Sequence, residues 1–550
     1  MDTRSFIEGR AKDAYKFFGN HKKTNNSYIF RSYAPNARNV YVIGDFNGWK
    51  EEKLRKYSTG VFSKTIKKVN KFDKYLFVIE DNDGNKSYKL DPFAKLCDLE
   101  NQSSLVFDEA FKFSYKIREN NKINIYQVNF ENLDREIFEN KNKMDSFIQY
   151  LKNNNFTHLN FMPIFSNRIE ASLGFAPSSF FALNENFTSI DNFKSFIDLC
   201  HKNNIGIILD FDIGEFDSFH KGLIKFDGSN MYNYDYDDIL YNYQGSVNMD
   251  PQKDIVKSFV FSLISYWSDE FNIDGIKFTN IENMVFWQGD KARGYNEYWL
   301  DLLKDINLYI KSLGKISIGS FYYIWKNEFD EDLGFSYIYD RTFSSLIKIM
   351  QKYPYQRDNY SNIVENIIRG NYGKYILGFD FSDILSEGAS LCMKMYSDNK
   401  KYQQLKTLFL LLYSLSSKKM IFMEDEIGSL KSFDINRKVD FNKINNKFNK
   451  EEKDFNEFYK GLSKFYQDHK NLYKKDAQTK ILEIEGYSIY AFIREYKKEK
   501  YLVLINLTDL DYKIDLDFKF EKILTSFDGK YKEDNKIKIP AFGSGIFRIK

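Results

Sequence analysis

Along Ser27–Asp108, apolar and polar residues alternate with a period of two through the runs SYIFRSYAP, NVYVIGDF, GVFSKTIKK and KYLFVIED. The turn pair Asp83–Gly84 follows the last of them. Alternation of this kind puts successive side chains on opposite faces of a strand, so the stretch predicts a small antiparallel β-sandwich. Upstream, residues 1–24 carry the pattern of a short amphipathic helix. Downstream, DPFAKL (Asp91–Leu96) leads out of the sandwich towards a linker.

From Lys122 the rhythm changes. Short apolar strings now alternate with helical segments: NIYQV, THLNFMPIF, GIILDF, IDGIKF, KISIGSF, FSYIYD, YILGFD and KMIFMED. FKSFIDLCHKNN and IVKSFVFSLISYWSDEF lie between two pairs of them with a 3.6-residue period. Eight strand candidates with intervening helices predict a (β/α)8 barrel, with a doubly wound open sheet as the structural alternative. No glycine-rich phosphate loop follows the first strand, which disfavours a nucleotide-binding version. From Ala477 the two-residue period returns in KILEIEGYSIYAFIRE, KYLVLINLT, YKIDLDF and AFGSGIFRIK, predicting a second sandwich. The expected layout is multidomain α/β: an N-terminal helix at 1–26, a β-sandwich at 27–110, a TIM barrel at 118–472 and a C-terminal β-sandwich at 476–550. Internal repeats and low-complexity tracts are absent from the sequence.

Composition narrows the function classes. The 550 residues carry 80 basic and 77 acidic side chains, interspersed, for a net charge of +3. That balance gives no electrostatic basis for binding nucleic acid or an anionic membrane. Aromatic content is 18%, with 40 Tyr and 53 Phe, which serves packed cores and also offers ring faces on which sugars stack. Cys97, Cys200 and Cys392 have neither metal spacing nor a disulfide pattern. The charged start MDTRSFIEGRAKDAYKFF has no apolar signal core, and the longest apolar run, around Leu408–Leu415, is too short for a bilayer. A cytoplasmic location is expected.

Several strings together resemble the glycogen branching enzymes of the α-amylase superfamily (glycoside hydrolase family thirteen), across nearly the whole chain. FIEGRAKDAYKFFGNH resembles that family's N-terminal helix, and YAPNARNVYVIGDFNGW the core of its carbohydrate-binding module. FTHLNFMPIF, LGFAPSSFFALN and HKNNIGIILDF resemble its second and third barrel strands and the segment between them. KKMIFMEDEIG and LVLINLT resemble the eighth strand and the C-terminal sandwich, and FDGSNMYNY points to branching enzymes within the superfamily.

The resemblance also places the family's catalytic groups, residue by residue, at the C-terminal ends of the strands. After the third strand, Asp210 matches the family's Asp, but the His place holds Glu215. After the fourth, the Arg place holds Lys277 and the nucleophile's place holds Thr279, beyond Phe278. After the fifth, the general acid's place holds Ser320, and no acidic residue occurs from Lys315 to Lys326. After the seventh, an ungapped match puts Phe381 and Ser382 where the family has His and the transition-state Asp. The ring under the reacting sugar, Tyr in the family, is Phe175.

Retaining glycosyl transfer needs two carboxyl groups, one attacking the anomeric carbon and one exchanging protons with the leaving and incoming oxygens. A threonine without a base is a poor nucleophile at neutral pH, and a serine hydroxyl is too weak an acid to replace the second carboxyl. The expectation is therefore a catalytically degenerate, branching-enzyme-like protein of glycogen metabolism. It would bind α-glucan, or a partner among the glycogen-metabolising enzymes, and it needs no cofactor. One alternative is an active branching enzyme or hydrolase with a site rewired around Asp212, Glu215, Asp380 or Asp383. Another is a structural subunit that binds no sugar.

Sugar binding asks only for ring faces and polar groups. Trp49, closing GDFNGW, is the first candidate, with a place in the sandwich core as its other reading. Tyr88, Phe175, Trp287 and Trp325 are weaker ones. Asp210 is expected to serve structure. The acidic stretches DDILYNYQGSVNMDPQKD and DFDIGEFD match no EF-hand spacing and lack His or Cys, so no metal is implied.

Overall fold

The computed structural model describes residues 3–108, 110–118, 122–169, 172–321, 333–370, 372–385, 387–439, 441, 449–474, 476–484, 488–516, 518–528 and 536–550. Eight parallel strands close into a barrel in chain order: Asn124–Val128, His158–Phe161, Gly206–Phe211, Gly275–Phe278, Ile316–Ser320, Tyr337–Tyr339, Tyr375–Gly378 and Lys418–Phe422. Seven lie inside one of the eight apolar strings and the eighth starts one residue ahead of its own; closure of the sheet settles the choice against an open one. The strands are short and most of their residues are buried, as parallel strands covered on both faces must be. The chain divides into two compact units, one of residues 1–116, 161–202 and 207–336, the other of 117–160, 203–206 and 337–550.

The first unit holds the N-terminal sandwich and the third to fifth barrel strands. One sheet of the sandwich has four strands, with Ser27–Tyr33 between Gly19–Thr24 and Val61–Lys67. The other has six, built on Asn39–Gly44 beside Lys74–Glu80. The sandwich is fastened to the barrel segments by main-chain acceptors: the Lys89 ammonium donates to the carbonyls of His220 and Ile224, both at 2.6 Å, and the Leu90 N–H to that of Lys221 at 2.7 Å. Phe93 adds an edge-on contact with Phe259 at 5.5 Å.

The N-terminus differs from expectation. In place of one helix over 1–24 there is a helix at Thr3–Ile7, a 3-10 turn at Ala14–Lys16 and a strand starting at Gly19. Gly9 adopts φ +73°, and a Cβ there would lie 3.0 Å from an Asp254 carboxylate oxygen, so the helix ends. The N–H groups of Ala11 and Ala14 then donate to the hydroxyls of Ser258 and Ser262 on the helix Asp254–Glu270. Tertiary hydrogen bonds here replace helical ones that the amphipathic pattern favoured.

The second unit carries the remaining barrel strands and the C-terminal domain. That domain has a five-stranded antiparallel sheet centred on Glu499–Asn506 and a two-stranded one, with Leu502, Leu504, Ile514, Ile537 and Phe547 in its core. Arg357, 1% exposed, ties this domain to the barrel helices. Its guanidinium donates to the carbonyls of Leu507 and Met350 at 2.8 Å and to the Gln404 side chain at 2.6 Å. Among the described residues, no helix is long and apolar enough to cross a membrane.

Replacing Arg357 by Ala leaves those buried acceptors without a donor and should lower unfolding stability by about 3 kcal/mol, measured by denaturant titration. Arg357→Lys should recover less than half, because one ammonium cannot span the three partners.

Candidate functional site

The third, fourth and fifth barrel strands place their C-terminal residues in one register. Asp210 pairs with Lys277 and Phe211 with Phe278, while Lys277 faces Ile318 and Phe278 faces Gly319. Asp212, Thr279 and Ser320 each stand one residue beyond those last pairs, so the hydroxyls of Thr279 and Ser320 occupy adjacent places on the rim. Both are buried, Thr279 at 8% and Ser320 at 4% exposure. The Thr279 N–H donates to the Phe211 carbonyl at 3.0 Å, continuing the ladder past the strand.

One layer below the rim, the Lys277 ammonium and the Asp210 carboxylate meet at 3.0 Å, with both side chains at 2% exposure or less. A buried charge needs a buried counter-charge, and the parallel register delivers one. At the rim itself, the Asn280 amide donates to Asp212 at 2.6 Å. Asn280 is in the left-handed region (φ 51°), a conformation that Asn tolerates better than most side chains. Glu215 accepts from Asn242 and, at 3.4 Å, from Asn283. Burial and the charge of Glu215 hold the Asp212 carboxyl well above its ordinary range. Burial pushes Glu215 up to about 7, against the hydrogen bonds it accepts.

In the second unit the seventh strand ends at Gly378, and Asp380 sits two residues on. Arg341 clamps Asp380 with both guanidinium nitrogens, the closer at 2.9 Å. Ser382 donates its N–H and its hydroxyl to the same carboxylate, at 3.0 and 2.5 Å, which starts the helix Phe381–Leu385. Asp383 accepts from the Asp380 N–H at 2.9 Å and from the Ser344 hydroxyl at 3.0 Å. Burial and then the Asp380 charge push it up to about 6. Phe381 packs on Phe422 and Phe433 at 5.8 and 5.4 Å. Phe422, Glu424, Asp425, Ser429, Phe433 and Arg437 line a small half-open cleft beside it.

The sandwich presents Trp49 at 43% exposure, with its indole N–H donating to Asp45 at 3.0 Å. Its ring is therefore oriented at the surface and does not close the sandwich core. Tyr88, 47% exposed, lies on the edge strand Lys86–Lys89, opposite Val78. Phe175 is half-buried, and half-buried Trp287 packs against Tyr234 at 5.8 Å. Trp325 lies outside the described residues.

Similarity to known proteins follows this architecture. Residues 17–94 match the family described as Carbohydrate-binding module 48 (Isoamylase N-terminal domain), and residues 489–546 the Alpha-amylase SusG C-terminal domain. A 1,4-alpha-glucan branching enzyme, GlgB 2 of Clostridium perfringens strain 13, is 30% identical over 94% of this chain and 84% of its own length. The chain belongs to the GlgB branching-enzyme family. GlgB of Fusobacterium nucleatum is 28% identical over 78% of this chain and 74% of its own. Among solved structures, the catalytic module of the glycogen-degrading pneumococcal virulence factor SpuA superposes with a TM-score of 0.77 at 14% identity, over 100% of this chain and 99% of that one. A pullulanase from Anoxybacillus gives 0.76 at 15%, over 100% and 89%. The GlgB-family chain is thus a branching-enzyme-like protein with a carbohydrate-binding module, an α-amylase-type barrel and a C-terminal sheet domain.

Within this GlgB-family barrel, the residues that sequence reasoning missed are the partners of the acids: Asn242, Asn280, Asn283 and Arg341. Their only signal in the sequence is side-chain chemistry near a strand end: asparagines are too common in this chain for that to single them out, and nothing local ties Arg341 to Asp380, 39 residues away.

Two outcomes test the rim. Lys277→Met strands the Asp210 carboxylate and should cost about 3–5 kcal/mol, while Lys277→Met with Asp210→Leu should regain most of it, a double-mutant cycle read by urea denaturation. Glu215 holds its proton more tightly folded than unfolded. Its stabilising contribution is therefore complete below the ordinary carboxyl range and lost as pH rises through about 7. Glu215→Gln should accordingly raise the melting temperature at pH 8 and leave it nearly unchanged at pH 4.

Proposed function

We propose that this GlgB-family chain is a catalytically degenerate glucan-binding protein of glycogen metabolism. It holds α-1,4-glucan through its carbohydrate-binding module and performs no glycosyl transfer at the barrel mouth. The observation that carries the reading is the engagement of the acids near the strand ends by neighbouring side chains: Asp210 by Lys277, Asp212 by Asn280, Glu215 by Asn242, and Asp380 by Arg341 and Ser382. A nucleophile must approach the anomeric carbon unencumbered, and a general acid must release its proton to a substrate oxygen. A carboxylate held ionised by an ammonium or a guanidinium has no proton to release, and the oxygens of Asp210 and Asp380 are already engaged by their partners. The places that the family resemblance assigns to nucleophile and acid hold the Thr279 and Ser320 hydroxyls.

Glucan binding is supported by the module match over 17–94 and by the exposed, Asp45-oriented ring of Trp49. The relatives are named for action on 1,4-alpha-glucan, which makes that polymer the ligand of choice. Bound to glycogen without cleaving it, the protein would present polymer to the enzymes that do, or assemble with one of them. The rewired-site reading draws on one feature, the two raised carboxyls Asp212 and Glu215, which together retain a proton near neutral pH as an acid–base pair would.

One experiment separates these readings. On amylose, chain-length analysis after debranching should show no new branches and no hydrolysis, while glycogen in a native gel should retard the protein. Turnover abolished by Glu215→Gln would establish the rewired site instead, and absence of retardation would leave a purely structural subunit. Trp49→Ala should weaken glycogen binding about tenfold. Thr279→Asp with Ser320→Glu and Ser382→Asp should remain inactive, because Lys277, Glu215 and Phe381 still occupy the surrounding family positions.

A further inference from the structure

Tyr355 and Tyr353 are 74% and 53% exposed, and they form a column with Tyr396 in the second unit. The Tyr353 and Tyr355 rings stack with centroids 5.8 Å apart and planes 21° apart, and Tyr353 meets Tyr396 edge-on at 5.2 Å. The column stands on a segment with little freedom. Pro354, between the two tyrosines in sequence, starts the 3-10 stretch Pro354–Tyr360, and its ring fixes φ. Buried Arg357 donates to the main-chain carbonyls of Met350 at 2.8 Å and Lys352 at 3.2 Å, just before the tyrosines. The Gln356 N–H closes a turn onto the Tyr353 carbonyl at 2.9 Å.

We propose that this tyrosine column is a second α-glucan-binding platform, separate from the carbohydrate-binding module and from the ends of the barrel strands. A pyranose ring presents an apolar C–H face bordered by hydroxyls. It is matched by an exposed aromatic face with polar groups around it. The exposed ring of Tyr355 supplies the first, and exposed Lys352, Asp358 and Asn359, within four residues of it in sequence, supply charged and polar groups. Two exposed rings are a small apolar area beside what a protein–protein interface buries, which favours sugar over a protein partner. The rigid framework means that little ordering entropy is lost when a glucan lands.

The inference rests on the reading that the protein binds α-glucan, and the test keeps the two apart. Wild type, Tyr355→Ser, Trp49→Ala and the double variant are run in native gels of graded glycogen content, with unsubstituted gels as reference. Tyr355→Ser should raise the apparent Kd about three- to tenfold, the strength of one aromatic contact. The double variant should bind more weakly than either single one. Wild-type retardation with Tyr355→Ser unchanged, alone and in the Trp49→Ala background, overturns the platform and leaves glucan binding by the module intact. No retardation of wild type overturns both. Because Tyr355 is so exposed, its variants should melt with wild type, and Tyr355→Phe, which keeps the ring, should bind like wild type.

Discussion

Burying a charge inside a barrel is tolerable only when a counter-charge is buried with it, and the Lys277–Asp210 pair at 3.0 Å meets that condition between the third and fourth strands. Much of the upper barrel in the first unit follows from it. The pair lies in the last regular layer of the ladder, so the register that unites it also lines up Asp212, Thr279 and Ser320 one step above. A slip of one residue between these parallel strands would separate the two charges and move a carboxylate into an apolar layer. The ion pair therefore specifies register as well as neutralising charge.

The same constraint explains the chemistry of the rim. Carboxyl groups that cannot reach water must be neutralised, hydrogen-bonded or protonated. Asp210 is neutralised, while Asp212 and Glu215 accept amide hydrogen bonds and are pushed towards the protonated state. In the second unit Asp380 is neutralised by Arg341, and Asp383 accepts from a backbone N–H and a hydroxyl. In each case the carboxyl group is held by a neighbouring side chain or N–H within the fold.

The proposed sugar recognition draws on exposed aromatics rather than on acids. Trp49 is oriented by Asp45, and the Tyr353–Tyr355–Tyr396 column is oriented by Pro354 and Arg357. For Trp49 the indole N–H is held by a carboxylate, and for the tyrosines Arg357 and Pro354 hold the main chain on which the rings stand. An aromatic face of this kind needs neither an activated carboxyl nor a lowered pKa to meet a sugar.

Apolar patterning by itself pointed to the two sandwiches and to eight further strands, because burial of one face or both is written locally into a strand, whereas closure of those eight into a barrel in chain order was decided by the tertiary structure. The family resemblance placed Thr279 and Ser320, and the strands Gly275–Phe278 and Ile316–Ser320 end just before the first and at the second. The N-terminal segment shows where local pattern fails: its amphipathic period was outweighed by Gly9 and by two serine hydroxyls some 250 residues away in sequence. Only the tertiary structure decided which side chains satisfy which acids. Asn280 lies 68 residues from Asp212, and Lys277 lies 67 from Asp210, and neither spacing has a period that a sequence pattern could reveal. Exposure of Trp49 and Tyr355 was decided there too, because an aromatic ring has the same apolar character in a core and on a surface, and only packing around it distinguishes the two.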